Sequence, residues 1–234
     1  LKTLPGGKRK GLNIVSWSPR LKPPKVAPSP VLDPSTSFAG AVGPAAPEGE
    51  YAYRLTKGKD TYEGTVAVTY DPDFPHAPAD RAQQQRTVQE LYDMLARLAY
   101  VADAGTEARD AALERAEGLA EDDDLAVRLR GFADDLDGLH GGLMVTEQVQ
   151  GISGRSELRE KLVSLYAAVA GYGGRPTRSQ LDRMEYFRGE IAQADGDFTA
   201  LTDAALAELN AALAARGLET IPLLTVEEFE ARDG

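Results

Sequence analysis

Residues 49–75 read GEYAYRLTKGKDTYEGTVAVTYDPDFP and hold the most regular apolar pattern of the chain. Apolar and polar residues alternate on both sides of a short segment that contains Gly58. Alternation with a period of two around a glycine-containing turn predicts a β-hairpin, which with its exit linker occupies residues 49–78. Because an isolated hairpin is only marginally stable in water, we expect further strands or a partner to pack against it.

The first 48 residues differ from the rest in composition, because they hold nine of the fourteen prolines. Proline fixes φ and lacks an amide hydrogen, so residues 1–48 are not expected to form a helix and can contribute only short edge strands. The best strand candidate is at residues 12–17, and further short strands are expected at 26–32 and 36–42. We interpret the segment as an extended arm lying on a surface; a disordered tail is the alternative.

The charge of the chain is unevenly distributed. The net charge is −11, yet the first 25 residues carry seven lysines and arginines and no acid. Residues 81–234 hold 16 of the 26 basic and 29 of the 37 acidic side chains. An acidic body with a basic arm argues against a nucleic-acid binder and suits an arm that docks onto an acidic partner, either a protein subunit or lipid headgroups. The candidate partner-binding residues are Lys8, Arg9, Lys10, Trp17, Arg20, Lys22 and Lys25.

Apolar residues recur at three- and four-residue steps between residues 79 and 217, which predicts an antiparallel helical bundle. We expect the first long helix to end at Gly105, with Thr106 as the cap of a separate short helix. Thr177 is expected to cap a later helix, and another break is expected at residues 195–197. The last bundle helix is predicted to end with Gly217 at its C′ position. Residues 218–234 are interpreted as an extended acidic tail.

The polar clusters do not predict a catalytic, cofactor or metal site. The chain has no cysteine, and its two histidines, His76 and His140, lie far apart in sequence. Calcium binding is an alternative for the acids at 121–124 and 195–197, but a helix start explains the first group better and a break between helices the second. Four tyrosines of the hairpin region could form a sugar-stacking platform, although cross-strand packing is the simpler explanation: Tyr51, Tyr53, Tyr62 and Tyr70.

Short motifs carry a resemblance to a known family. Residues 11–20 (GLNIVSWSPR), 47–55 (PEGEYAYRL), 58–62 (GKDTY) and 68–72 (VTYDP) resemble the strands that follow the propeller in bacterial VPS10/BNR-repeat proteins, which are sortilin-like and carry a glycosyl-hydrolase name. The last helices of that family's helical tail resemble residues 176–210 and 217–218 of this chain. The chain departs from the family in having Ser18 where the motif has Asp, and in lacking the propeller's Asp-box repeats.

This resemblance implies an α+β fold, with a small fibronectin/Ig-like antiparallel β-sandwich followed by an antiparallel helical bundle. Four or five strands are fewer than the roughly seven of a complete sandwich, so either the proline-rich segment covers the open side of a minimal sandwich or another chain completes it. We therefore expect a non-enzymatic, extracytoplasmic subunit of a larger assembly, peripheral to a membrane and without a membrane span. The alternative is a carbohydrate-binding or glycoside-hydrolase-associated module.

Overall fold

The computed structural model describes residues 3–28, 42–146 and 157–232. Two strands precede a series of helices. The strands are β1 (Gly49–Lys57) and β2 (Asp60–Val68). The helices are α1 (Pro78–Glu117), α2 (Asp124–Leu143), α3 (Leu158–Ala170), α4 (Arg178–Ala200), a π-helical turn (Leu201–Ala205), α5 (Leu206–Ala215) and α6 (Val226–Ala231).

The predicted hairpin is confirmed. β1 and β2 pair in antiparallel orientation from Gly49 opposite Val68 to Lys57 opposite Asp60. The turn between them has two residues, and Gly58 adopts a positive φ of 63° there. A positive φ at the first turn position is typical of a type II′ turn, whose twist matches that of paired strands. The sequence therefore specified this element locally.

The predicted β-sandwich is wrong. Helices make up 57% of the chain, and the described residues contain a single sheet of two strands. Residues 12–17 form no strand. Asn13 explains this locally, because its amide donates to the carbonyls of Arg9 and Gly11 at 2.9 and 3.0 Å and bends the chain. The strand expected at 36–42 lies outside the described residues except for Val42, and the one at 26–32 is described only as far as residue 28, without a strand.

The first helix is longer than predicted. α1 runs for 40 residues through Gly105 and Thr106, so the break expected there is wrong. The Thr106 hydroxyl donates to the carbonyl of Ala102 at 2.8 Å and is thereby satisfied inside the helix, not at its start. Gly105 is buried, and a methyl group there would just reach Leu136 and Phe198, so the glycine lies where neighbouring helices approach closely. Tertiary packing thus outweighs the local helix-breaking tendency.

α1 is the central element of the bundle. It packs against α2, α3 and α4, and α2 packs in turn against α5. Leucines spaced along α1 and α2 are fully buried. Tyr166 of α3 is the largest of the fully buried side chains in the described residues. The largest fully buried side chains are Leu91, Leu95, Leu98, Leu125, Leu129, Leu162, Val163, Leu165, Tyr166, Val169 and Leu213. None of the helices within the described residues combines the length and the apolar character needed to cross a bilayer.

The predicted helix ends were partly right. Thr177 caps α4 by accepting from the amide of Gln180, as expected from the sequence. The expected break at 195–197 is wrong, because α4 continues through it and joins α5 by the π-helical turn. Gly217 ends α5 with φ of 70° as predicted. The tail beyond it is not wholly extended, because α6 lies within it.

Candidate docking surface

The hairpin is amphipathic, and its apolar side is exposed. The register puts Tyr51, Tyr53, Leu55, Tyr62 and Val66 on one side of the two strands, and we call them the apolar hairpin face. Tyr53, Leu55 and Tyr62 are 53%, 51% and 54% exposed. Side chains of this size are usually buried in a protein core, and a contiguous exposed group of them marks an interaction site. Tyr51 is partly covered by Trp17, whereas the other members of this face remain exposed.

The opposite side of the hairpin is polar. Arg54 and Glu63 are directly opposite each other, and the Arg54 Nε lies 2.8 Å from a Glu63 carboxylate oxygen. Glu50 is on the same side of β1, two residues before Ala52. Both members of the ion pair are well exposed, so the pair itself contributes little to stability. The hairpin thus has one side suited to water and one that is not.

Tyr53 lies across the glycine of the opposite strand. Gly64 is its cross-strand neighbour, and a methyl group on Gly64 would come within 2.6 Å of the Tyr53 hydroxyl oxygen. The ring therefore occupies the space above Gly64, which only the absence of a side chain leaves open. The result is an aromatic surface that rests on the sheet and remains half-exposed to solvent.

The N-terminal segment meets the hairpin at a pair of aromatic rings. The centroids of Trp17 and Tyr51 are 5.7 Å apart, and the Tyr51 hydroxyl donates to the carbonyl of Pro47 at 2.7 Å. Before Trp17 the segment is largely exposed, with Leu12 at 88% and Ile14 at 81%. Trp17 therefore joins this segment to the apolar hairpin face, and we refer to residues 8–17 as the exposed N-terminal segment.

The seven candidate partner-binding residues separate into two groups. Lys8, Arg9, Lys10 and Lys22 are exposed, and Trp17 is half-buried against Tyr51. Arg20 and Lys25 instead contact this chain itself. No pattern in the sequence separates these two cations from the others.

Arg20 and Lys25 tie their segment to other parts of the fold. Arg20 forms an antiparallel bridge with Ala45, and its guanidinium donates to the carbonyl of Gly43 at 3.0 Å. The ammonium of Lys25 donates to the carbonyl of Phe229 in α6. The basic residues of this segment thus have two different roles, because Arg20 and Lys25 stabilise the fold and the others are exposed to solvent.

Bundle side chains hold the arm after Trp17 in place. The Arg159 Nε donates to the carbonyl of Ala27 at 2.5 Å, and the Tyr166 hydroxyl donates to the carbonyl of Val42 at 3.3 Å. Ala27 itself is buried. The described residues from 19 to 28 and from 42 to 46 therefore belong to the folded body, which leaves the exposed N-terminal segment as the part presented to solvent.

An aromatic cluster joins the hairpin to the bundle. Tyr70, Phe74, His76 and Tyr172 follow one another with centroids 5.0 to 5.3 Å apart. Arg81 of α1 lies with its guanidinium 4.2 Å from the Tyr70 ring centroid and donates to the carbonyl of His76 at 2.6 Å. Sequence reasoning missed this anchor, because its members come from α1 and two separate loops.

The acids considered for calcium have other partners. Asp123 caps α2 through the amide of Leu125 at 2.8 Å and pairs with Arg216 at 2.7 Å. Asp195 pairs with Arg97 at 2.6 Å. Within the part of the chain that the structure describes, no group of three or more His, Asp or Glu side chains could hold a metal ion.

Two titratable groups at the junction of α1 and α2 have shifted pKa values. Burial lowers the pKa of His140, and the nearby Arg109 guanidinium lowers it further. Burial raises the pKa of Asp103, and the Glu107 carboxylate adds to the rise. Both groups are therefore biased towards their neutral forms, which is the usual consequence of removing a charge from water.

Comparisons with protein-family models, with curated proteins and with solved structures find no match to this chain. The resemblance to VPS10/BNR-repeat proteins therefore stays a prediction, which these comparisons neither support nor refute.

Proposed function

We propose that this chain is a non-enzymatic interaction module, an accessory or structural subunit of a larger protein assembly. It docks through the apolar hairpin face and the exposed N-terminal segment. The observation that carries the proposal is the half-exposure of Tyr53, Leu55 and Tyr62 on one side of a projecting two-stranded sheet. Full burial of an exposed side chain of this size is worth about 1.5–3 kcal/mol, so a partner that covers the exposed half of each gains about half of that. Aromatic residues are also enriched at the centres of protein interfaces.

Charge orients this docking. Lys8, Arg9 and Lys10 are exposed and stand beside the exposed apolar residues Leu12 and Ile14. The rest of the chain is acidic, so an acidic partner surface would attract the N-terminal end and repel the bundle. The partner we propose is therefore a protein with an apolar patch bordered by acidic side chains.

The assembly is proposed to be extracytoplasmic and peripheral to a membrane. The resemblance to VPS10/BNR-repeat proteins supports this location, since those motifs stand in the same order along the chain. Lipid headgroups are a second class of acidic surface for the same cations, and binding to anionic vesicles in the absence of any protein partner would favour them over a protein.

Native mass spectrometry of the tagged chain, purified gently from its source, tests the proposal. We expect a species of fixed stoichiometry that the triple variant Tyr53→Ser, Leu55→Ser, Tyr62→Ser abolishes. A matched control is Val127→Ser with Tyr186→Ser, because these side chains are equally exposed, at 56% and 61%, but lie on the helices. A lone chain, or a hairpin variant that keeps the same partner, would contradict the proposal.

A carbohydrate-binding module is the second candidate, and the position of Tyr53 favours it. Its ring rests over Gly64 and keeps an exposed surface, against which the C–H side of a sugar ring can stack. A glycan array probed with the wild type, Tyr53→Ser and Tyr186→Ser separates the two candidates. Binding lost in the first variant and kept in the second would favour the glycan.

A further inference from the structure

The outer edge of β1 is open for strand pairing. Lys57 and Asp60 flank the two-residue turn and form a hydrogen-bonded pair, and such pairs alternate along the ladder. The backbone N–H and C=O groups of Glu50, Ala52 and Arg54 therefore point away from β2. No backbone hydrogen bond among the described residues joins this edge to another segment. Such an edge is a ready template for another strand.

The charges along β1 are complementary to those of a second β1. Glu50 and Arg54 are the charged residues in the middle of the strand, with Ala52 halfway between them. When two copies pair in antiparallel orientation about Ala52, Glu50 of each copy lies opposite Arg54 of the other. Pairing about Arg54 would place two arginines opposite each other, and pairing about Glu50 would oppose two glutamates. Directly opposite charges of unlike sign stabilise a strand pair, and like charges destabilise it.

The same register also matches the apolar side. It brings Tyr51 of one copy opposite Tyr53 of the other, in a non-hydrogen-bonded pair where side chains approach most closely. Cross-strand aromatic pairs are favourable. The charged residues on one side of β1 and the tyrosines on the other side thus favour the same register.

We infer that two copies of this chain pair along their β1 strands, about a two-fold axis at Ala52, into a four-stranded antiparallel sheet. The interface is closed, because the same strand serves in both copies, so it ends at a dimer. About six backbone hydrogen bonds join the strands. A sheet of four strands is also more stable than the isolated hairpin that each copy has alone.

β2 does not offer an equivalent edge. The backbone groups that point outward from β2 belong to Thr61, Glu63, Thr65 and Ala67. None of these residues is basic, so Glu63 would find no oppositely charged partner on the β2 strand of a second copy. In the dimer, Arg54 lies between Glu63 of its own copy and Glu50 of the other, which extends the existing ion pair into a row of alternating charges.

The inference goes beyond the proposed function and does not depend on it. Dimerisation would double the apolar hairpin face that a partner meets, but a monomer could use the same face. A chain that binds its partner and never dimerises would overturn the inference alone. A dimer without a partner would overturn the proposed function alone.

Reversal of each charge tests the register. Sedimentation velocity over a range of concentrations is to be measured for the wild type, Glu50→Arg, Arg54→Glu and an equimolar mixture of the two variants. Each variant alone opposes like charges twice and should dissociate about 10-fold or more readily than the wild type. In the mixture, both contacts regain opposite signs, so a heterodimer should form as tightly as the wild-type dimer.

The control is Glu63→Gln, which removes the intrachain partner of Arg54 without changing the β1 edge. It should dimerise within about threefold of the wild type. Since all three side chains are exposed and outside the core, circular dichroism spectra should show the same helix content for every variant. A wild type that is monomeric throughout, a dimer insensitive to both reversals, or a mixture without a heterodimer would each overturn the inference.

Discussion

Lys25 and Phe229, which are 204 positions apart in sequence, hold the two ends of the chain together. The Lys25 ammonium donates to the carbonyl of Phe229 and lies 4.3 Å from the centroid of its ring. A cation over an aromatic ring adds about 0.5–1 kcal/mol at an exposed site. α6 is only six residues long, so it depends on such contacts for its position.

Replacing Lys25 should therefore loosen α6. We expect Lys25→Met to destabilise the fold by about 1 kcal/mol, because it removes both the charged hydrogen bond and the cation–π contact but keeps the apolar stem. Urea unfolding together with amide exchange in 226–231 measures the effect. Lys22→Met is the matched control, because Lys22 is exposed; equal effects of the two variants would contradict this role of Lys25.

Replacing glycine by alanine should have opposite effects on stability at Gly217 and at Gly196. Gly217 ends α5 with φ of 70°, where its amide donates to the carbonyl of Ala214 and the amide of Leu218 donates to that of Leu213, both at 3.0 Å. Gly217→Ala should cost about 1 kcal/mol, because an L-residue is strained in this conformation. Gly196 lies inside α4 with open space around it, so Gly196→Ala should stabilise by up to about 1 kcal/mol. Thermal melts that shift in the same direction for both variants would refute this explanation.

Asp103 should reduce stability near neutral pH. Burial, and then Glu107, raise its pKa, so the folded state prefers the neutral acid. Its stabilising contribution is complete below the ordinary aspartate pKa and disappears as the pH rises through the raised value. Asp103→Asn should therefore raise the Tm at pH 7 and leave it unchanged at pH 3. A lower Tm at pH 7 would mean that attraction to Arg232 and Lys25 outweighs burial.

Alkaline pH should unfold the protein partly through Tyr166. Burial raises the pKa of this residue to about 12, above its ordinary value of 10.0. The unfolded state loses its phenolic proton first, so stability falls as the pH rises from about 10 towards about 12. Urea melts in this range should decline less steeply for Tyr166→Phe than for the wild type.

At neutral pH the same variant loses the hydrogen bond to the carbonyl of Val42 and should be about 1 kcal/mol less stable. Identical slopes for the variant and the wild type above pH 10 would exclude a contribution of Tyr166 to alkaline unfolding.

Local signals in the sequence predicted local structure well. The alternating residues around Gly58, the cap at Thr177 and the helix end at Gly217 each depend on a few neighbouring residues, and each is present in the fold. The long-range features were not predictable in this way. The β-sandwich required strands from distant segments to pair, and Gly105 continues a helix because other helices pack around it.

The candidate site was predicted in part for the same reason. The alternation predicted that one side of the hairpin is apolar, but it did not predict that this side is exposed, which depends on how many strands accompany it. Charge alone grouped Lys8 with Lys25, although Lys8 is exposed and Lys25 is partly buried. The aromatic cluster around Arg81 could not be predicted from a local sequence pattern, because its ring contacts join α1 to loops that are distant along the chain.

Hydrogen–deuterium exchange of the chain alone and within its native assembly tests the central claim most directly. If a partner covers the apolar hairpin face and the exposed N-terminal segment, amides in 49–68 and 8–17 should exchange at least 10-fold more slowly in the assembly, and those on the surface of α4 should not change. Unchanged exchange in both regions, or protection confined to the helices, would contradict the account.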